Sequence, residues 1–197
     1  HKDTFYLVTD AGSTELVWLT ENLYQAKVES AFTKFFKKSE DYWEVVGKDG
    51  GVLKFGQDTD AKEGSSRGTF AWYLTRAQDT NGNYIEYHYA KEQGKSYLWH
   101  IYYTGNEAAG ASPTNTIEFI TESRTDMPSS YISSSKIATA QRLKGIKVWV
   151  KGELVWEYEL TYEQSPDTNR SLLKSITQKG ADGKALPTQN FTYQRAQ

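Results

Sequence analysis

Alternation of apolar and polar residues with a period of two is the feature of this sequence that most limits its fold. It is clearest in segment 153–162, ELVWEYELTY. Successive side chains of a β-strand point to opposite faces of a sheet, so this segment has one apolar and one mostly polar face. Similar runs occur at 4–9, 14–19, 42–46, 52–55, 70–77, 84–89, 97–103, 116–121, 146–150 and 189–193.

Turn sequences containing glycine separate many of these runs. They are Asp49-Gly50, Asn81-Gly82, Lys151-Gly152 and Asp182-Gly183. Glycine adopts positive φ without steric cost, and Asx-Gly pairs are typical of tight hairpins, so neighbouring strands should pair antiparallel. We predict an all-β fold of roughly ten to fourteen strands, an antiparallel hairpin meander that forms a curved open sheet or a partial barrel.

Two kinds of segment do not follow this pattern. The small and polar residues of 57–68, 105–115 and 124–135 predict loops. The apolar positions of 21–38 fit a period of two at first and 3.6 later, so this segment is predicted to be either strand or short helix.

Composition excludes several classes of function. The 197 residues are 38% hydrophobic and include 6 Trp, 14 Tyr and 8 Phe, enough to bury a core. Basic and acidic residues number 23 and 25, and they are spread along the chain, which argues against a nucleic-acid partner. There is no Cys, no run long enough for a membrane span and no apolar signal sequence after His1, so we expect an interior piece of a larger protein.

Catalytic signatures are missing from the sequence, and we predict no enzyme, no cofactor and no metal site. Nucleophile elbows, Walker loops and dinucleotide fingerprints do not occur. The best carboxylate candidates for glycoside chemistry are Glu86, Glu153, Glu157 and Glu159. Alternating acidic residues on one strand face are usually solvated, so catalysis by this set is the weaker interpretation.

The polar turn residues have a structural explanation. Asn81, Gly82 and Asn83 could line a ligand loop, but a two-residue turn needs Asn and Gly for backbone reasons alone. Asp49, Asp79 and Asp182 could bind calcium, yet each lies in or just before a turn, together with Gly50 and Gly183 in two cases. Capping of local backbone N–H groups is therefore the favoured role of these aspartates.

Histidines and aromatic residues are the remaining candidates for contacts. His88 and His100 have the same phase in strands that should be adjacent, which predicts a cross-strand pair sensitive to pH at about 6. Aromatic side chains on separate strands either fill the sheet or form a contact surface. Its candidate members are Trp72, Tyr87, Tyr89, Trp99, Trp149 and Trp156. Because Trp149 has the phase of Lys147 and Lys151, it is the tryptophan we expect to be exposed or to line an inner surface, if any is.

Segment 72–89, WYLTRAQDTNGNYIEYHY, resembles the W-x-L…D-x-x-G-N-x-I-x-Y-x-Y hairpin of RHS/YD-repeat proteins. Segments 98–106, 142–146, 150–162 and 171–193 follow the order found in the middle region of SpvB-like proteins and insecticidal toxin-complex B subunits. Segment 43–56 is similar to the W-x-V…K-D-G…F-G hairpin that precedes it there. We therefore divide the chain into loosely assigned N-terminal strands, 1–41, and an RHS/YD-type sheet, 42–197.

The resemblance implies a structural role. In that family such segments form a hollow shell around a toxic C-terminal region, so this chain would be a wall segment of a large secreted bacterial virulence protein. Its expected partners are other segments of the shell, the enclosed cargo and toxin-complex subunits. The family's Asp-Pro-x-Gly self-cleavage element and an ADP-ribosylating pattern are absent. A carbohydrate- or surface-binding β-module using exposed aromatics and a hydrolase without a recognised motif are the alternatives.

Overall fold

Antiparallel strands account for nearly all regular structure in the computed structural model, which describes residues 3–28, 31–131 and 136–194. The strands of the first half are β1 (Phe5–Thr9), β2 (Gly12–Thr20), β3 (Leu23–Ala26), β4 (Lys34–Lys37), β5 (Trp43–Val46), β6 (Val52–Phe55), β7 (Lys62–Ser65), β8 (Gly68–Trp72) and β9 (Leu74–Gln78). Those of the second half are β10 (Asn83–Glu92), β11 (Lys95–Asn106), β12 (Asn115–Ser123), β13 (Ser129–Ser130), β14 (Ile137–Ala138), β15 (Gln141–Val150), β16 (Glu153–Gln164), β17 (Ser171–Gly180) and β18 (Gln189–Asn190). The helix found in the described residues is one turn of 3₁₀ helix, η1 (Thr59–Ala61), and no helix there is long and apolar enough to cross a membrane.

One large sheet contains 14 of these strands, in the order β1-β2-β3-β4-β5-β6-β9-β10-β11-β12-β15-β16-β17-β18. Sheet order therefore equals chain order except at two excursions, where β7–β8 and β13–β14 form separate two-stranded sheets. Because β1 and β18 end the order, the sheet is open and not a closed barrel. The predicted antiparallel meander with a curved open sheet is confirmed.

Several local predictions need correction. Segment 21–38 contains the two strands β3 and β4, so the helical alternative is wrong. The predicted loop 57–68 contains η1 and β7, and the predicted loop 124–135 contains β13, while its residues 132–135 lie outside the described part of the chain. These strands were missed because they are only two to four residues long and have no apolar residues, so they show no alternation.

Three hairpin turns share one geometry. In 47–51, 79–83 and 180–184 the first N–H donates to the fifth carbonyl at 2.9, 2.9 and 3.0 Å. The glycine in the fourth position has a φ of 86° at Gly50, 82° at Gly82 and 75° at Gly183. The loops are thus three residues long, and the prediction of a two-residue turn at Asn81-Gly82 is wrong.

A two-residue turn does occur between β15 and β16. Val150 pairs with Glu153, and the intervening Lys151 and Gly152 have φ values of 52° and 84°. Positive φ at both central positions is the type I′ arrangement, whose twist matches that of the strands. This turn sets the first two pairs, Val150 with Glu153 and Trp149 with Leu154, and a β-bulge then shifts the register before Val148 pairs with Trp156.

The sheet curls at its N-terminal end. The ring of Phe5 in β1 lies 5.0 Å from that of Trp43 in β5 and 5.9 Å from that of Trp72 in β8. Since β1 and β5 are separated by three strands in the sheet order, the ribbon must bend toward the face that carries these rings. Leu16, Phe35, Trp43 and Val45 form the buried cluster inside the curl.

Burial decreases sharply beyond this curl. In the described strands of the large sheet, all buried apolar side chains belong to β2, β4 and β5. The long strands β10, β11, β12, β15, β16 and β17 carry apolar side chains that are half-buried or exposed. A single curved layer therefore has its core at one end and an open apolar face over the rest.

Candidate contact surfaces

An apolar row crosses the face of the sheet formed by β10, β11, β12, β15 and β16. Its members are the successive register partners Tyr87, Ile101, Ile117, Val148 and Trp156. None of the five is buried, and Trp156 is exposed. We call this set the apolar row. An apolar face that remains accessible over five strands is typical of a contact surface.

The opposite face carries a row of ionisable side chains, which we call the charged row. Its members, again successive register partners, are His88, His100, Glu118, Lys147, Glu157 and Lys179. Opposite charges on adjacent strands attract, as between Lys147 Nζ and Glu157 Oε1 at 3.8 Å. The long strands therefore have one apolar side and one charged side, as alternation predicts.

The four candidate carboxylates do not form an acid–base pair. Glu86 is bound by Arg76 at 3.4 Å, Glu157 faces Lys147, and Glu153 is exposed beside the Lys151-Gly152 turn. A hydrogen bond from Lys179 Nζ, 2.7 Å long, lowers the pKa of Glu159. A glycosidase acid needs a raised pKa, so this arrangement favours a solvated, ion-paired face.

The turn aspartates cap backbone N–H groups, as the sequence predicts. Asp49 Oδ1 accepts from Gly51 N at 3.1 Å and Asp182 Oδ1 from Lys184 N at 3.0 Å. Asp79 Oδ1 accepts from the N–H groups of residues 81 and 83, both at 2.9 Å. The Asn83 side chain also donates to Asp79 Oδ2, and this bond lowers the pKa of Asp79. Across the described ranges, no group of three or more His, Asp or Glu side chains is arranged to hold a metal ion.

The six aromatic candidates are divided among different environments. Trp72 lies in the N-terminal curl, where its indole N–H donates to the carbonyl of Asp41 at 2.9 Å. Tyr89 donates to the carbonyl of Leu74 at 2.9 Å, and burial raises its pKa to about 12. Tyr87 and Trp156 belong to the apolar row. The six candidate side chains therefore do not form one contact surface.

Tryptophan exposure differs from the prediction. Trp149 is partly buried and donates its indole N–H to Glu118 Oε2 at 3.2 Å, whereas Trp18, Trp99 and Trp156 are 47%, 52% and 43% exposed. Trp149 is therefore not among the exposed tryptophans, because its cross-strand neighbour Glu118 binds the indole. The alternative, that Trp149 lines an inner surface, stays a prediction. Trp99 is exposed at a β-bulge that leaves it without a partner on β10, and alternation gives no signal for a bulge.

A buried carboxylate that the sequence analysis missed fixes the first excursion. Glu63 of β7 is only 4% exposed. Its Oε1 accepts from Tyr73 Oη at 2.8 Å and from Ser96 N at 3.0 Å, and it pairs with Lys95 Nζ at 3.0 Å. Burial by itself would raise the pKa of Glu63, but these donors together lower it. We call this set the Glu63 lock.

The second excursion binds the same end of the β10–β11 hairpin. Tyr97 Oη accepts from the N–H groups of Ala140 and Gln141 at 2.8 and 3.2 Å, and Gln141 Nε2 donates to Glu92 Oε2 at 2.7 Å. The β10–β11 turn is therefore held from both sides. A polar chain segment gives no periodic signal for such contacts.

Asp126 attaches this second excursion to β17. Arg124 donates to both carboxylate oxygens of Asp126, at 2.9 and 2.8 Å, and holds its pKa far below the usual range. The N–H and hydroxyl of Ser171 donate to the same carboxylate, each at 2.7 Å. The excursion thus connects two separate parts of the sheet.

One family model matches this sequence, and several solved proteins share its fold. A family model described as Salmonella virulence plasmid 65kDa B protein matches residues 10–171, while no curated protein matches the sequence. The solved N-terminal domain of effector protein SpvB from Salmonella typhimurium strain LT2 is 16% identical, with a TM-score of 0.68 over 90% of this chain and 74% of that one.

Two Tc toxin structures have the same fold over nearly the whole chain. A TcdB2-TccC3-Cdc42 structure is 17% identical, with a TM-score of 0.71 over 99% of this chain. The Tc holotoxin pore of Photorhabdus luminescens is 17% identical, with a TM-score of 0.73 over 98%. In each, this chain spans 12% of the length of the chain it matches.

Proposed function

This chain belongs to the SpvB family, that of the Salmonella virulence plasmid 65kDa B protein, and from that premise we propose that it is a structural wall segment of a larger secreted bacterial toxin protein. The observation that carries the proposal is the open single sheet with its uncovered apolar row. A face of this kind needs further protein against it, because exposed apolar area is costly in water.

Enclosure of a cargo is the finer part of the proposal. The N-terminal strands curl toward their apolar side, where the ring of Phe5 meets that of Trp43. If the large sheet keeps the same sense of curvature through β10–β12 and β15–β17, the apolar row faces inward and the charged row faces solvent. Such a wall offers apolar contact to a toxic C-terminal region and an ion-paired exterior to water.

The partners follow from the same architecture. We propose that they are neighbouring segments of the parent shell, its cargo and Tc-type subunits, since the solved relatives include a TcdB2-TccC3 assembly. The division at residue 42 stays a proposal: β4 lies before it and β5 after it, and these two strands pair in one sheet.

Neither alternative is favoured by a specific observation. A sugar-binding platform needs several aromatic rings on one face, but Trp99 packs against His100 of the charged row while Trp156 belongs to the apolar row. A hydrolase needs converging catalytic groups, and the four candidate carboxylates are engaged with cations or lie exposed at a turn.

The absence of Cys in the chain allows a direct test. Val148→Cys and Lys147→Cys place thiols on adjacent residues of β15 that face opposite sides of the sheet. In the longer protein that the proposal requires, we expect a maleimide to modify position 147 readily and position 148 at least ten times more slowly. In the isolated chain both positions should react. Equal reaction at the two positions of the longer protein would contradict an enclosing wall.

A further inference from the structure

His88 and His100 face each other directly across β10 and β11, as the sequence predicts. Opposite residues in an antiparallel pair have Cβ atoms roughly 5 Å apart. The ring of Tyr102 contacts both imidazoles, with centroid distances of 5.2 Å to His88 and 5.5 Å to His100. The pair is therefore a compact cluster on the charged side of the sheet.

The charged groups around the pair are largely engaged elsewhere. On β10, Glu86 Oε2 lies 3.9 Å from His88 Nε2, but Arg76 of β9 also binds Glu86, at 3.4 Å. On β12, Glu118 lies opposite His100 and accepts the indole N–H of Trp149. Lys147 of β15 lies opposite Glu118 in turn. In the described part of the chain, both carboxylates beside the histidine pair, Glu86 and Glu118, therefore also have another partner.

His100 has the less favourable environment for a proton. Among the described residues its Nδ1 is buried and has no hydrogen-bond partner. Burial lowers the pKa of His100, Glu118 opposes this effect, and His88 adds to it. A group whose pKa is lower in the folded state stabilises the fold above its unfolded value, about 6.5 for His, and this contribution decreases as pH falls through that value.

We propose that the His88–His100 pair is an acid-sensitive fastening between β10 and β11. With both imidazoles neutral the two strands pack closely, whereas protonation of both places like charges opposite each other and loosens the hairpin. The end of this hairpin holds both excursions, through the Glu63 lock and through Tyr97. Acid would therefore weaken the contacts that the β10–β11 hairpin makes with the first and the second excursion.

An NMR titration of the imidazole protons in the whole 197-residue chain measures the coupling directly. We expect His100 to titrate at lower pH in the folded chain than in urea, and His88→Asn to raise its midpoint so that its proton affinity increases severalfold. An unchanged midpoint in His88→Asn would overturn the proposal. If this variant does not fold, His88→Gln provides the same comparison.

Amide hydrogen exchange measures whether the hairpin loosens. Between pH 7.5 and 5.5, after correction for intrinsic rates, protection at Tyr87 and Ile101 should fall severalfold, because the pKa of His100 is lower in the folded chain. The matched amides Leu160 and Ile176, partners in β16 and β17, should keep their protection, and His88→Asn should abolish the difference. Equal loss in both hairpins, or no loss in either, would overturn the proposal.

Discussion

Glu63 illustrates how a single side chain can determine where an excursion lies. Its carboxylate is buried and accepts hydrogen bonds from Tyr73 and Ser96 while pairing with Lys95. A buried ion pair is not by itself stabilising, but removal of one partner leaves the other charge without compensation. The contribution of the Glu63 lock to the free energy of unfolding should therefore be seen when one of its partners is removed.

We expect Glu63→Gln to lower the free energy of unfolding by roughly 3 kcal/mol, measured by urea denaturation at pH 7. The control is Glu159→Gln, which removes an exposed ion pair with Lys179 and should have a small effect. Because the pKa of Glu63 is lowered on folding, its contribution is present above the usual pKa of Glu and is lost as pH falls below it. Equal effects of the two variants would contradict this role.

Tyr97 should stabilise the second excursion in a similar way. Tyr97→Phe removes the acceptor of two backbone N–H groups, and the loss of unfolding free energy should be about 1–3 kcal/mol. In the control Tyr193→Phe, the hydroxyl lost is an exposed donor to Leu173, so little change is expected. Thermal unfolding of both variants measures the two losses. A larger loss of stability in Tyr193→Phe than in Tyr97→Phe would contradict the proposed role of Tyr97.

At the scale of elements, the three-residue turns allow a matched comparison. Gly82 and Gly183 occupy the same turn position with φ of 82° and 75°. A Cβ on Gly82 would meet Ala108 N at 3.0 Å, whereas a Cβ on Gly183 would meet nothing within 4 Å. Only the first substitution therefore adds a steric conflict to the cost of positive φ.

Gly183→Ala should reduce the unfolding free energy by about 1–2 kcal/mol, the cost of positive φ for a residue with a Cβ. Gly82→Ala should reduce it further, because the 106–111 loop must shift. Urea denaturation of the two variants gives the comparison. An identical loss in both would show that the loop yields freely and would remove the steric argument.

The long strands and the positions of the glycine turns were accessible from the sequence, while short polar strands, turn lengths and contacts between distant polar residues were not. Alternation in 153–162 locates β16, and a shared phase places His88 opposite His100. The exposure of Trp99 depends on a bulge, and the burial of Glu63 depends on Lys95, which is distant in sequence. Neither a bulge nor a long-range ion pair changes the periodicity of the sequence, so both became visible only in the three-dimensional structure.

For the whole molecule, stability should be concentrated at the curled end. Phe35 is 3% exposed in the buried cluster, whereas Phe119 of β12 is half-buried on the open sheet. Phe35→Ala should reduce the unfolding free energy by roughly 3–5 kcal/mol and Phe119→Ala by less than half as much. Urea denaturation of the isolated chain measures both, and equal losses would place the core elsewhere.

The sheet order also has a mechanical consequence. Nearly every strand pairs with the strands next to it in sequence. A force that pulls on either end of the chain therefore separates one pair of strands at a time. It does not have to break the hydrogen bonds of many strand pairs at once. The force needed stays low along most of the ribbon. It should rise at the two excursions, where the Glu63 lock and the Asp126 contacts join strands that are not successive in the chain. Extension of the chain would then proceed in short even steps interrupted by two pauses.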